Sequence, residues 1–122
     1  MGEMDKYCEE YEVRRKELEL KLAVTEEELK KLEYCREEAR HRHMDIFALL
    51  GRIVSEGNGD EFSRRIESRA EKVRRCADAA GAQMDEQVYW LRKECRRLKE
   101  SIEIYELEYV KAAGDGENKK DS

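Results

Sequence analysis

The sequence predicts an all-α fold, a long antiparallel two-helix hairpin of coiled-coil texture, and three observations carry that prediction. The 122 residues contain no proline, 45% of them are charged, and apolar residues recur at heptad spacing on both sides of one glycine-rich break. Such a composition is that of long helices, since straight-chain charged residues and leucine lose little freedom in a helix and nothing interrupts the backbone ladder.

The first helix is expected over residues 4–55. Met4, Tyr11, Leu18, Thr25, Leu32, Ala39, Ile46 and Ile53 recur every seven residues, with Cys8, Leu22, Leu29, His43 and Leu50 in the companion positions. Arg15 and Arg36 are the exceptions. Spacing of this kind lays an apolar stripe down one side of a helix. Val13, Leu20, Val24, Phe47 and Val54 fall off the stripe.

The break is SEGNGDEF, residues 55–62. Gly57, Asn58 and Gly59 supply positive φ and end a helix, and Asp60 is a natural N-cap for the next. A turn at about 56–59 makes the helices antiparallel neighbours. Residues whose numbers add to about 116 then face one another, which places Leu18 near Leu98 and Leu32 near Met84.

The second helix is expected over 60–112. Its stripe runs Ile66, Ala70, Val73, Ala77, Ala80, Met84, Val88, Leu91, Cys95, Leu98, Ile102, Tyr105, Tyr109 and Ala112, with two consecutive steps of four around Met84. An extra residue of that kind unwinds a heptad seam locally. Residues 1–113 thus form the hairpin, and the polar tail GDGENKKDS, 114–122, is expected to be disordered.

Composition bounds the function. With 25 basic and 30 acidic residues the net charge is −5, which argues against a general binder of nucleic acid or of anionic membrane. The densest basic run, Arg64, Arg65, Arg69, Arg74 and Arg75, is interleaved with Glu67 and Glu71 and reads as a solvated face. No window approaches a membrane span, no cofactor is expected, and the charged N-terminus MGEMDKYCEE lacks the apolar core of a signal peptide.

Chemistry-bearing constellations are absent from this reading. His41 and His43 stand two apart, about 200° round a helix, and so do not share a metal; His43 fills the seam. Glu26, Glu27, Glu28, Glu37 and Glu38 lie on helix surfaces with no cleft to shift their pKa values. The reading is therefore not an enzyme: no catalytic residues and no metal ligands. Register places Cys35 opposite Gly81, about five residues from Cys76, and four free cysteines are expected.

Two features point to binding instead. In CADAAGA, residues 76–82, small side chains at Ala77, Ala80 and Gly81 form either a fitted seat for Tyr34 or a docking notch for another helix. In YWLRKECRRLKESIEIYELEY, residues 89–109, Leu91, Leu98 and Tyr105 fill the seam, so Tyr89, Trp90, Ile104 and Leu107 are left as a partner-binding face. A hairpin offers each helix only one narrow stripe, and such apolar surface is expected to be covered by a partner's helices or by a second copy, in a helical bundle.

The layout around FALLGRIVSEGNGDEF and the second helix, MDEQVYWLRKECRRLKESIEIYELEY, resembles WXG-like small helical hairpins, and in particular the small helical partners encoded beside LXG toxins of the type VII secretion system. At the turn, Ser55 to Asp60 stand where those hairpins carry Trp-x-Gly. The aromatic-x-x-x-acid export signal of some relatives is matched at Trp90 and Glu94, and again at Tyr34 and Glu38. The resemblance implies a cytoplasmic targeting chaperone or adaptor that binds a toxin's helical LXG domain, together with a second small helical protein, and that could itself leave through type VII secretion.

Overall fold

The computed structural model describes residues 6–57 and 59–114 in full. It is an all-α helical hairpin of two elements, α1 (Glu3–Glu56) and α2 (Glu61–Asp121). Both helices start and stop close to the expected positions at the turn. At its far end α2 passes the expected boundary at 112 and continues through Gly114. One glycine costs a helix about 1 kcal/mol, too little to stop one led in by a run of strong formers such as Leu107, Lys111, Ala112 and Ala113. The tail expected to be disordered lies, beyond Gly114, outside the described residues.

The turn is built as its residues require. Gly59 has φ of +79°, the left-handed region in which a Cβ is strained. The Gly57 N–H still donates to the Ile53 carbonyl at 3.1 Å, and the Asp60 N–H donates to the Gly57 carbonyl at 3.2 Å. Asp60 then caps α2, its Oδ1 accepting the Ser63 N–H at 2.7 Å. That bond holds the Asp60 carboxyl below its ordinary range; the nearby Ser63 hydroxyl adds to the effect without completing a hydrogen bond of good geometry. Ser63 itself is buried, because Gly57 lets it in: a Cβ at 57 would meet Ser63 Oγ and lie 2.9 Å from Ser63 Cβ.

The chain divides into two compact units. The first joins residues up to Leu29 with those from Leu91 onward. Its core holds Tyr11, Leu18, Cys95 and Leu98, all buried. Tyr11 stacks on Tyr105 and on Tyr109, with ring centroids 5.0 and 3.9 Å apart, and Tyr7 stacks on Tyr109 at 6.0 Å. Tyr7–Tyr109 and Tyr11–Tyr105 both add to 116, the expected register. Arg15, the exception in the stripe, is exposed and reaches across to Glu106 at 2.8 Å while also bonding Glu19 at 2.9 Å. Those two carboxylates raise its pKa above the ordinary value, the Glu19 bond contributing most.

The second unit is Lys30–Trp90, with Val88 and Ser63 at 1% and 2% exposure. Here the expected seam holds at Leu32, Ala39, His43, Leu50 and Ile53 on α1 and at Ile66, Ala70, Ala77, Met84 and Val88 on α2, and is corrected at Ile46, Val73 and Ala80. Ile46 is exposed and Phe47 half-buried in its place; Val73 and Ala80 are exposed, and Gly81 is half-buried. A helix near 3.6 residues per turn drifts about 20° per heptad from a strict seven-residue repeat. Over the five heptads from Tyr11 to Ile46 that amounts to about 100°, one residue. Val54, expected off the stripe, is half-buried beside Ile53, which keeps its place. Arg74, next to Val73 and also exposed, lays its guanidinium 4.9 Å from the centroid of the Phe47 ring.

All four cysteines are free: Cys35 and Cys76 exposed, Cys8 half-buried and Cys95 buried.

Candidate partner-binding surfaces

In the second unit, α1 and α2 leave a groove of about 490 Å³. Its floor is apolar, lined by half-buried Ala39 and Phe47 from α1 and by Ala77, Gly81 and Met84 from α2, with the exposed Met44 and Ala82 also on the lining. The small side chains keep α2 from filling it, and Ala80 also lines it. Ala77, Ala80 and Gly81, where a docking notch was one of two expectations, thus line one groove. The alternative, that Tyr34 occupies it, is corrected: Tyr34 is 68% exposed. Tyr34 stands two residues from half-buried Leu32, about 200° round α1, and so points away from α2.

Cations line the groove from both helices. Arg36 and Arg40 share one carboxylate, Asp85, at 3.1 and 3.3 Å, and Arg74 lies over Phe47. Arg36 Nε is buried and makes no hydrogen bond. Asp78 is the other acid on the lining, so three guanidiniums meet two carboxylates.

Of the residues expected to bind a partner, Tyr89 and Trp90 are 58% and 56% exposed in the second unit. Their rings meet edge to face at 5.5 Å. Val88, immediately before them, is the most buried hydrophobic residue described, so the seam on α2 is occupied one step round the helix from Tyr89. In the first unit, Ile104 and Leu107 are also exposed, at 56% and 69%, and Val110 joins them at 65%. Glu94, the acid of the aromatic-x-x-x-acid match, is half-buried and held by Arg97, whose Nε donates to Glu94 Oε2 at 3.0 Å. The Arg97 bond pulls the Glu94 carboxyl below its usual range.

The Tyr7–Tyr11–Tyr105–Tyr109 stack and the Phe47–Arg74 pair were not anticipated. The first had a signal in the sequence, since Tyr7 and Tyr11 repeat the four-residue spacing of Tyr105 and Tyr109 on the facing helix. The second had none, because it depends on accumulated helical phase. Among the described residues, no group of three or more metal-ligating side chains converges, and no helix is long and apolar enough to cross a membrane.

No protein-family profile matches this chain, and comparison with curated proteins and with solved structures found no significant match.

Proposed function

We propose that this protein is a noncatalytic helical adaptor that captures the helices of a protein partner along its exposed apolar surface. The observation that carries the reading is the Tyr89–Trp90 pair, more than half exposed beside a seam already occupied by Val88. Aromatic anchors of this kind dominate helix-bundle interfaces when a partner dehydrates them.

The resemblance to the helical partners of LXG toxins supplies the setting. The partner is then a toxin's helical N-terminal LXG domain, held in the cytoplasm with a second small helical protein before type VII export. Co-expression with a helical LXG-type N-terminal domain tests the reading. Co-purification that Trp90→Ala abolishes supports it; capture indifferent to Trp90, or no capture, overturns it.

A further inference from the structure

We infer that the groove of the second unit receives the acidic end of α2 from a second copy of this chain. The groove has an apolar floor, about 490 Å³ of space and a surplus of guanidinium groups, with Arg36 and Arg40 dividing one carboxylate between them. Its complement is on the same chain. Glu100, Glu103, Ile104 and Leu107 follow at i, i+3, i+4 and i+7, and Val110 extends the row by three, so all five share one helix face. All five are exposed. That face is turned away from the side of α2 on which Leu98 is buried and Tyr105 and Tyr109 stack on Tyr11.

From Glu100 to Val110 the segment reads ESIEIYELEYV, four carboxylates and no base. Among the described residues, Glu106 alone of those four has an ion-pair partner across the hairpin, Arg15. Glu100, Glu103 and Glu108 are exposed, on a helix that offers Ile104 and Leu107 between them. An apolar ridge flanked by acids therefore meets an apolar trough flanked by bases. Ile104 and Leu107 enter over Gly81 and Ala82, where nothing lies within 4 Å of a Cβ built on Gly81. The acids reach Arg40 and Arg74. Such complementarity sets both the choice of partner and its orientation.

Sedimentation of the full chain over a range of concentrations tests the inference, with helicity checked first for every variant. Wild type should associate, and more weakly as salt is raised. Glu100→Lys with Glu103→Lys, and separately Arg40→Glu with Arg74→Glu, should each weaken association by about tenfold or more, since like charges then meet. Mixing the two variants should restore association between them, because each supplies the surface the other needs. A wild type that stays monomeric, swapped variants that associate as wild type does, or a mixture that fails to recover would each overturn the proposal. Should a swapped variant lose helicity, a photo-crosslinking residue at position 107 of the otherwise native chain decides instead. Crosslinks to 36–47 or 74–85 of another copy support the proposal; crosslinks elsewhere, or none, overturn it. Capture of a foreign helical partner through Trp90 is measured separately and stands or falls independently of these outcomes.

Discussion

Tyr11 of α1 and Tyr109 of α2 stack with ring centroids 3.9 Å apart, and the Tyr109 hydroxyl lies 2.9 Å from Cys8 Sγ. Two rings from α1 and two from α2 thus close one end of the first unit. Aromatic pairs contribute about 0.5–1.5 kcal/mol beyond the area they bury. Tyr7 and Tyr11, four apart, present both rings on one side of α1, which is what lets Tyr109 engage both at once.

That contact has a consequence in alkali. The Cys8 bond raises the Tyr109 pKa above its ordinary value of 10.0, with burial next and nearby acidic groups adding to it. The folded state therefore holds the phenolic proton more tightly than the unfolded chain does. Stability from this group is fully present below about pH 10 and is lost as pH rises through the folded value. Tyrosinate absorbance should show one tyrosine ionising later than the others, and Cys8→Ala should bring it down. A titration unchanged by Cys8→Ala would contradict the bond.

At the turn, Gly57 is required for space. Alanine there would drive its Cβ into Ser63, a side chain 2% exposed. Overpacking of a tight site costs about 1–3 kcal/mol, so Gly57→Ala should lower the denaturation midpoint. Ser63→Ala in the same chain should recover part of the loss and not all of it, because Ser63 Cβ would remain 2.9 Å away. Additive effects of the two substitutions, read by urea melts, would show that no clash exists.

Thiol chemistry should sort the cysteines by environment. Burial, with Glu26 adding, raises the Cys95 thiol above its ordinary value, and Lys99 opposes this only in part. A thiol that is both buried and reluctant to ionise reacts slowly. Cys35 and Cys76 are exposed and should be alkylated first, Cys95 last and only as the hairpin opens. Peptide mapping of a timed alkylation gives the order, and early modification of Cys95 would contradict the packing of Leu98 and Cys95 in one core.

The hairpin, its turn and its register were legible because each rests on local rules. Absence of proline, a glycine of positive φ and an N-capping aspartate act within a few residues, and the seven-residue period is counted directly. Seam membership far from the turn was not. Ile46 and Phe47 differ by one position, and which of them faces α2 depends on phase summed over five heptads. The groove inherits that difficulty, since Phe47 reaches it only after the drift. Tyr34 was a plausible occupant until its exposure excluded it. The exposed faces at Tyr89, Trp90, Ile104 and Leu107 were easier to read, because subtracting a well-filled stripe leaves them over.

The separation of core from interface can be made with two substitutions. Leu98 is 3% exposed in the first unit, and Leu→Ala at such a site costs about 2–5 kcal/mol through lost burial and residual cavity. Leu98→Ala should therefore lower the melting temperature of the isolated chain. Trp90 is 56% exposed and in edge contact with Tyr89, so Trp90→Ala should alter helicity and melting little. Against a helical partner the order reverses: loss of an aromatic anchor costs about 2 kcal/mol or more, roughly thirtyfold in affinity. Leu98→Ala, at a temperature where the chain remains folded, should bind the partner nearly as wild type does. Calorimetric titration and thermal melts on the same samples read both quantities. If Trp90→Ala instead unfolds the isolated chain and leaves binding per folded molecule intact, the aromatic pair belongs to the hairpin's own packing and the adaptor reading fails at its anchor.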